Sequence, residues 1–331
     1  MDLNQVDTAM PAIALLIESG ATPSSVTATL DMFRIAERFT PDDPFRISLY
    51  SAAGGPIALS DVLQVQTSPL PNKLQAFDAV ILPGFFALDL TDLVDKLATQ
   101  WQPAIARLSA LEGADLVAAS CYGTFVLAES GLLDGRAATT TWWLRHDFEE
   151  RYPQVRLNAD QALVDDGPVI TAGAMTAHTD LSLHVLRRLK GHALARRVGS
   201  IMLVDEARSS QLPFVALQRR FADPLTDAAV AWMEAHLTEY FSAQRLAEVL
   251  HTSYRTLHRR FQAVTGMPPL GYLQALRVEH AKELLETTRM AVEQIANEVG
   301  YEDVSSFRRL FARLTSVTPA RYRQRFRRLK T

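Results

Sequence analysis

One cysteine, Cys121, stands in 331 residues, so no internal disulfide can form and a reducing compartment suits the chain. Long apolar runs are missing too. The run from Ala12 to Ile17 stops at Glu18, far short of the roughly 20 residues that a membrane-spanning helix needs. Residues Met1 to Met10 carry Asp2 and Asp7 but neither Lys nor Arg, which is not the positively charged start of a secretory signal. These absences point to a cytoplasmic protein with no membrane partner. Histidines at metal-ligand spacing are also lacking: His178 and His184 lie six apart on a predicted helix and do not share a face, so no metal and no other cofactor is expected.

What is present is a soluble globular composition, 48% hydrophobic and 21% charged. The length favours two domains, since one core rarely grows beyond roughly 250 to 300 residues. The net charge of -3 conceals an asymmetry. Residues 1–225 hold 18 basic against 26 acidic side chains, whereas residues 226–331 hold 16 against 11. From Arg308 to Lys330 there are nine basic residues and no acidic one, a density that suits a polyanion.

Short apolar runs at Ala12 to Ile17, Phe45 to Tyr50, Asp78 to Leu82 and Asp115 to Ala119 read as buried strands. Helical spacing separates them, over Val26 to Phe39 and within Leu88 to Leu111. Gln161 to Ala172 reads as two strands around Asp166-Gly167-Pro168, and Met175 to Leu189 as a closing helix. This order predicts an open α/β, mostly parallel sheet over residues 1–200. Pro213 and Pro224 interrupt the pattern, which places a linker at 201–225. Residues 226–331 read as all-α, with helices at Asp227 to Thr238, Ala243 to Leu250, Tyr254 to Val264, Leu270 to Glu286, Val292 to Val299, Val304 to Leu314 and Pro319 to Leu329.

The helical part contains a repeat. Leu257, Arg259, Phe261, Thr265, Pro269 and Tyr272 recur fifty residues later as Phe307, Arg309, Phe311, Thr315, Pro319 and Tyr322. Upstream, Leu246-Ala247 and Leu250 recur forty-nine residues later as Ile295-Ala296 and Val299. Each copy reads as a helix-turn-helix whose second helix is capped by Ser253 or Asp303. Gly300 stands where a left-handed residue ends the first helix of the second copy. With Leu257, Phe261 and Val264 inward, Ser253, Tyr254, Arg255, Thr256, His258 and Arg259 are candidate DNA contacts. With Val304, Phe307, Phe311 and Leu314 inward, Ser305, Ser306, Arg308, Arg309 and Arg313 take that place in the second copy. The connector Leu270 to Glu286 would span about 25 Å, which with its turns spaces two readers about one DNA turn apart.

Arg277, Ala281, Leu284-Leu285, Ile295-Ala296, Gly300-Tyr301, Ser305, Phe307, Arg309, Phe311, Pro319 and Tyr322-Arg323 resemble the signature of AraC/XylS-type transcription regulators. One departure is Ser316, where that family commonly has glycine. The resemblance implies a bacterial regulator that binds promoter DNA, works with RNA polymerase, forms a homodimer and answers to a small-molecule effector.

Ala118-Ala119-Ser120-Cys121-Tyr122-Gly123-Thr124 reads as a strand, a sharp turn and a helix start, the arrangement of a nucleophile elbow, where a helix N-terminus tends to lower a thiol pKa. With Leu82-Pro83-Gly84 and Leu127 to Gly135, this half resembles PfpI-like, class I glutamine amidotransferase-like domains, in the form fused to AraC-type domains in GlxA-like regulators. Tyr122 stands where PfpI-like hydrolases carry histidine, and Thr141 where GlxA-like regulators commonly do, so no catalytic residue is assigned. Gly84, Phe85, Cys121, Tyr122, Thr141 and Trp142 are the candidate ligand-binding residues, with Phe86 and Trp143 near them. The aromatics suit an apolar or quaternary ammonium group, and the resemblance implies an amino acid or betaine-like amine. The competing reading is a thiol-dependent hydrolase or amidotransferase that carries a DNA-binding module.

Overall fold

The computed structural model describes residues 10–72, 74–111, 116–204, 209–217 and 219–327. It divides into two compact units, one ending at Gln211 and one starting at Leu212.

The first unit runs β1 (Ala12–Leu16), α1 (Pro23–Glu37), β2 (Arg46–Ser51), β3 (Gly55–Ser60), β4 (Leu63–Pro69), β5 (Ala79–Leu82), α2 (Leu90–Ala98), α3 (Gln102–Ser109), β6 (Val117–Ser120) and α4 (Gly123–Glu129). It continues through β7 (Ala137–Ala138), α5 (Arg145–Arg151), β8 (Arg156–Leu157), β9 (Leu163–Asp166), β10 (Val169–Ala172), α6 (Ala177–Lys190) and α7 (His192–Met202). Eight strands form one sheet in the order β3-β4-β2-β1-β5-β6-β10-β9. The six inner strands pair in parallel, while β3 and β9 close the two edges antiparallel. Alternate residues of β1 feed opposite layers, as strand geometry requires. Ala14 and Leu16 join a core shared with α2 to α5, and Ile13 and Leu15 a core shared with α1, α6 and α7. The β3–β4 hairpin and α7 fall outside the predicted elements.

From β1 the chain turns to β2 on one side and later returns to β5 on the other. That reversal makes the C-terminal ends of β1 and β5 the switch point of the sheet, the place where open α/β sheets bind ligands.

The second unit is helical: α8 (Pro224–Ala235), α9 (Ala243–Val249), α10 (Tyr254–Thr265), α11 (Pro269–Thr287), α12 (Val292–Glu298), α13 (Val304–Thr315) and α14 (Pro319–Phe326). The expected end of the last helix, at 328 and 329, lies outside the described residues. Pro224, read as an interruption, instead opens α8 behind an Asp223 cap, because proline's missing N–H and fixed φ suit the first helical position. The stretch 201–225 also holds the end of α7, the Ser210 bridge to Gln161 and a 3-10 turn at Leu212–Phe214.

Two cores fill this unit. Leu246, Ala247, Leu257 and Phe261 pack with α8 and with Tyr272, Leu273 and Leu276 of α11. Ile295, Ala296, Phe307 and Phe311 pack with Tyr322 and with Val278, Ala281 and Leu285 of the same α11. The 19-residue connector, about 28 Å long, thus belongs half to each core.

Val264, expected to face inward, is 40% exposed. The first core ends at Phe261, whose ring meets Tyr272 edge-on at 5.3 Å, and the following turn supplies Met267 in place of Val264.

Among the described residues no helix is long and apolar enough to cross a membrane, and no group of His, Cys, Asp or Glu could hold a metal ion.

Candidate functional site

Both helix-turn-helix copies are built by the same bonds. The turn after α9 is closed by Thr252 N–H donating to Ala247 O at 2.9 Å, and the turn after α12 by Tyr301 N–H donating to Ala296 O at the same distance. The left-handed residue is His251 in one (φ 51°) and Gly300 in the other (φ 82°). Gly300 has no room for a side chain: a Cβ there would lie 2.9 Å from Thr238 Cα and 3.1 Å from Arg277 Cζ. Arg277 causes part of that crowding. Its guanidinium donates to the carbonyls of Leu237 (2.7 Å), Glu239 (2.8 Å) and Gly300 (3.2 Å), fastening the second turn to the end of α8.

The caps match as well. Ser253 Oγ accepts from Thr256 N–H, and the Asp303 carboxylate accepts from Ser305 N–H, Ser306 N–H and Ser306 Oγ. Those bonds, the Ser306 hydroxyl first, hold the Asp303 pKa below the ordinary carboxylate value. At the far ends Gly266 (φ 72°) and Ser316 (φ 56°) are both left-handed, so Ser316 keeps the turn that glycine would make. Just before them, Thr265 and Thr315 bond back to Phe261 O and Phe311 O.

Packing decides which faces remain outside. On α10, Arg255, Arg259, Ser253 and Tyr254 are exposed, with Thr256 and His258 half-buried. The Tyr254 and His258 rings lie 5.8 Å apart. On α13, Ser305, Arg308, Arg309 and Arg313 are exposed and Ser306 half-buried. Leu310, absent from the predicted inner face, is buried beside Phe307 and Phe311.

In the α/β unit, β6 ends in the expected elbow. Cys121 adopts a left-handed φ of 55°, and its N–H is shared between Ala172 O (3.0 Å) and Gly173 O (2.9 Å). Neighbouring glycines let the backbone close around it. A Cβ on Gly84 would come within 2.7 Å of Cys121 Cβ, and one on Gly123 within 2.9 Å of the Leu82 and Pro83 carbonyls.

The expected lowering of the thiol pKa is overturned: burial pushes Cys121 up to about 12, because a thiolate in this dry setting loses more solvation than the Tyr122 N–H restores. No base relieves it among the described groups. His178 instead lies in a buried network, with Nε2 2.8 Å from Thr29 Oγ1 and Nδ1 2.8 Å from Ser120 Oγ. Burial drives its pKa down to about 4, so it is neutral at physiological pH.

Of the predicted ligand residues, Gly84, Phe85, Cys121 and Tyr122 come together. The Phe85 and Tyr122 rings sit 5.9 Å apart, and Trp143 Nε1 donates to Tyr122 Oη at 3.0 Å. Trp142 packs edge-on against Trp143, at 5.4 Å. Phe86 is exposed, and its carbonyl accepts from Lys96 Nζ. Thr141 follows Thr140, whose hydroxyl donates to Cys121 O at 3.0 Å; Thr141 Oγ1 is fully buried and has no hydrogen-bond partner among the described residues.

Two residues here escaped the sequence reading. Glu18, buried just beyond β1, accepts from Ala52 N–H at 2.6 Å and has its pKa raised by burial. A carboxylate closing an apolar strand was the available signal. Gln211 is buried with its amide donating to Thr140 O (2.9 Å) and Ala159 O (2.8 Å) and accepting from Ala174 N–H (2.9 Å). It therefore braces both peptide segments that hold Cys121, and Gly173 leaves the space its amide fills.

The chain matches the DJ-1/PfpI family over residues 12–188 and a helix-turn-helix domain over residues 246–325. It is 30% identical to the HTH-type transcriptional regulator CdhR of Pseudomonas aeruginosa over 93% of this chain and 90% of that one. It is also 26% identical to the regulator GbdR of the same species, over 95% and 84%, and 29% identical to the regulator GlxA of Rhizobium meliloti, over 94% of each. The chain belongs to the AraC-type transcriptional regulators that join a DJ-1/PfpI domain to a C-terminal helix-turn-helix domain, and it is a DNA-binding protein of that class.

Proposed function

We propose that α10 and α13 read the operator and that a small metabolite bound beside Cys121 modulates binding. Arg255 and Arg259 carry the DNA part of this reading. Both are exposed on the second helix of a helix-turn-helix, and neither side chain makes a hydrogen bond or ion pair among the described residues. Two such cations are ready for phosphates or guanine edges.

The test is anisotropy of a labelled promoter duplex titrated with the full chain. Arg259→Ala weakens binding about five- to tenfold and reduces the salt slope by about one. Unchanged affinity and slope in both Arg255→Ala and Arg259→Ala would defeat the assignment.

Two separate observations support the sensor part: the Thr141 hydroxyl is buried without a partner among the described residues, and the Phe85, Tyr122 and Trp143 rings gather at the Cys121 elbow. A buried hydroxyl without a bond is unfavourable by roughly 1–3 kcal/mol, which a polar ligand atom relieves. An amino acid or betaine-like amine fits that combination of hydroxyl and rings. A thermal-shift screen of the full chain against these amines tests it, a ligand of the native state raising the melting temperature. The protein is read as a cytoplasmic homodimer that meets RNA polymerase at the promoter and performs no catalysis. A thiol neutral at physiological pH, with no base acting on it among the described residues, supports the last point. Amide turnover abolished by Cys121→Ala would overturn it.

A further inference from the structure

The two motifs share their turns but not their charge. Residues 242–266 hold four arginines and one acid, whereas residues 291–316 hold three arginines and four acids. In the first motif Arg260 pairs with Asp223, the cap of α8, while Arg245, Arg255 and Arg259 have no carboxylate partner among the described residues. In the second motif Arg308 Nη2 lies 2.6 Å from Glu293 Oε1, a bridge from α13 back to the first turn of α12. Arg309 donates to Ser306 Oγ at 2.8 Å and stands 3.8 Å from Asp303, a carboxylate that the cap bonds hold in place. Arg313 reaches an uncharged partner, Gln274 Oε1, at 3.4 Å.

Resting on the reading of α13 as a DNA-facing helix, we propose that Glu293 restrains Arg308, making the second motif the weaker and more discriminating reader while the first supplies most of the sequence-independent attachment. A phosphate that approaches Arg308 must displace a carboxylate, and the carboxylate stays nearby as a repelling charge. Both ends of this pair are about half exposed, at 53% and 56%, so the restraint is modest. It amounts to about three- to fivefold in affinity, the upper range for an exposed ion pair. An interaction so nearly balanced is tipped only where base-edge contacts add to the phosphate term, and that is what lets a weak reader discriminate.

The experiment measures the full chain by anisotropy against a labelled promoter duplex and a scrambled duplex. Glu293→Gln is expected to tighten binding to the scrambled duplex about three- to fivefold and to lower the ratio between the two duplexes. The gain is expected to vanish in Glu293→Gln/Arg308→Ala. Glu298→Gln, which removes an equal charge from the other end of α12, is expected to give less than half of it. The proposal falls if Glu293→Gln does not tighten binding, if the gain survives without Arg308, or if Glu298→Gln matches it. Arg313→Ala separates the restraint on Arg308 from the DNA-facing role of α13. If it weakens binding while Glu293→Gln is silent, the restraint alone is wrong; if it is silent too, α13 does not face the duplex.

Discussion

The first and second helix-turn-helix motifs reach one backbone conformation by different means. The first places a histidine in the left-handed turn and a neutral serine at the helix cap; the second uses glycine and aspartate. At the far ends the choices reverse, glycine closing α10 and serine closing α13. Backbone geometry is thus held by the core and the turn bonds, and residue identity changes wherever the surroundings leave room.

The largest test of that contrast is at the first turn. Gly300→Ala is expected to destabilise the protein by more than about 2 kcal/mol, since left-handed strain adds to a clash with the Thr238 backbone. His251→Ala, already left-handed and exposed, should change stability by less than about 0.5 kcal/mol. Urea unfolding of the two variants measures the difference, and equal losses would show that the motifs are equally constrained.

A smaller effect is expected at the second pair. Gly266→Ala costs about 1 kcal/mol, because a Cβ there has open space and only φ is strained. Ser316→Gly gains up to about 1 kcal/mol by relieving the same strain. Losses at both sites would mean that the Ser316 side chain stabilises the turn.

The smallest effect depends on pH. The Asp303 carboxyl has a lowered pKa in the folded chain, so its stabilisation is present above the unfolded value and is lost as pH falls through the folded one. Ser253 does not titrate. Backbone NMR shifts are expected to show the start of α13 fraying in acid before the start of α10; simultaneous fraying would remove the distinction.

The repeat was legible because it is local. Capping residues, apolar spacing and the Pro-x-x-Tyr endings lie within a few positions of the bonds they make. The parallel strands were legible for a similar reason, as fully buried strands read as continuous apolar runs. The β3–β4 hairpin was not, because its alternation of Ile57 and Leu59, then Val65 and Thr67, follows the half-exposed pattern of a sheet edge. Gln211 carried no local signal, since its side-chain partners lie 37 to 72 residues away. The Cys121 ionisation went the other way from its local context because burial depends on the strands and loops folded around it. Of the site around Cys121, then, the elbow and its glycines could be read in advance, while the bracing amide and the state of the thiol required the tertiary structure.

Because one unbroken helix, α11, supplies side chains to both cores of the helical unit, the spacing between α10 and α13 is built into the protein like the gap between two prongs of a fork. An extra base pair between the half-sites would turn one of them by about 35° around the duplex axis, and α11 has no hinge with which to follow. On the reading proposed for α10 and α13, operators are expected to vary in letters but to keep one distance between their halves.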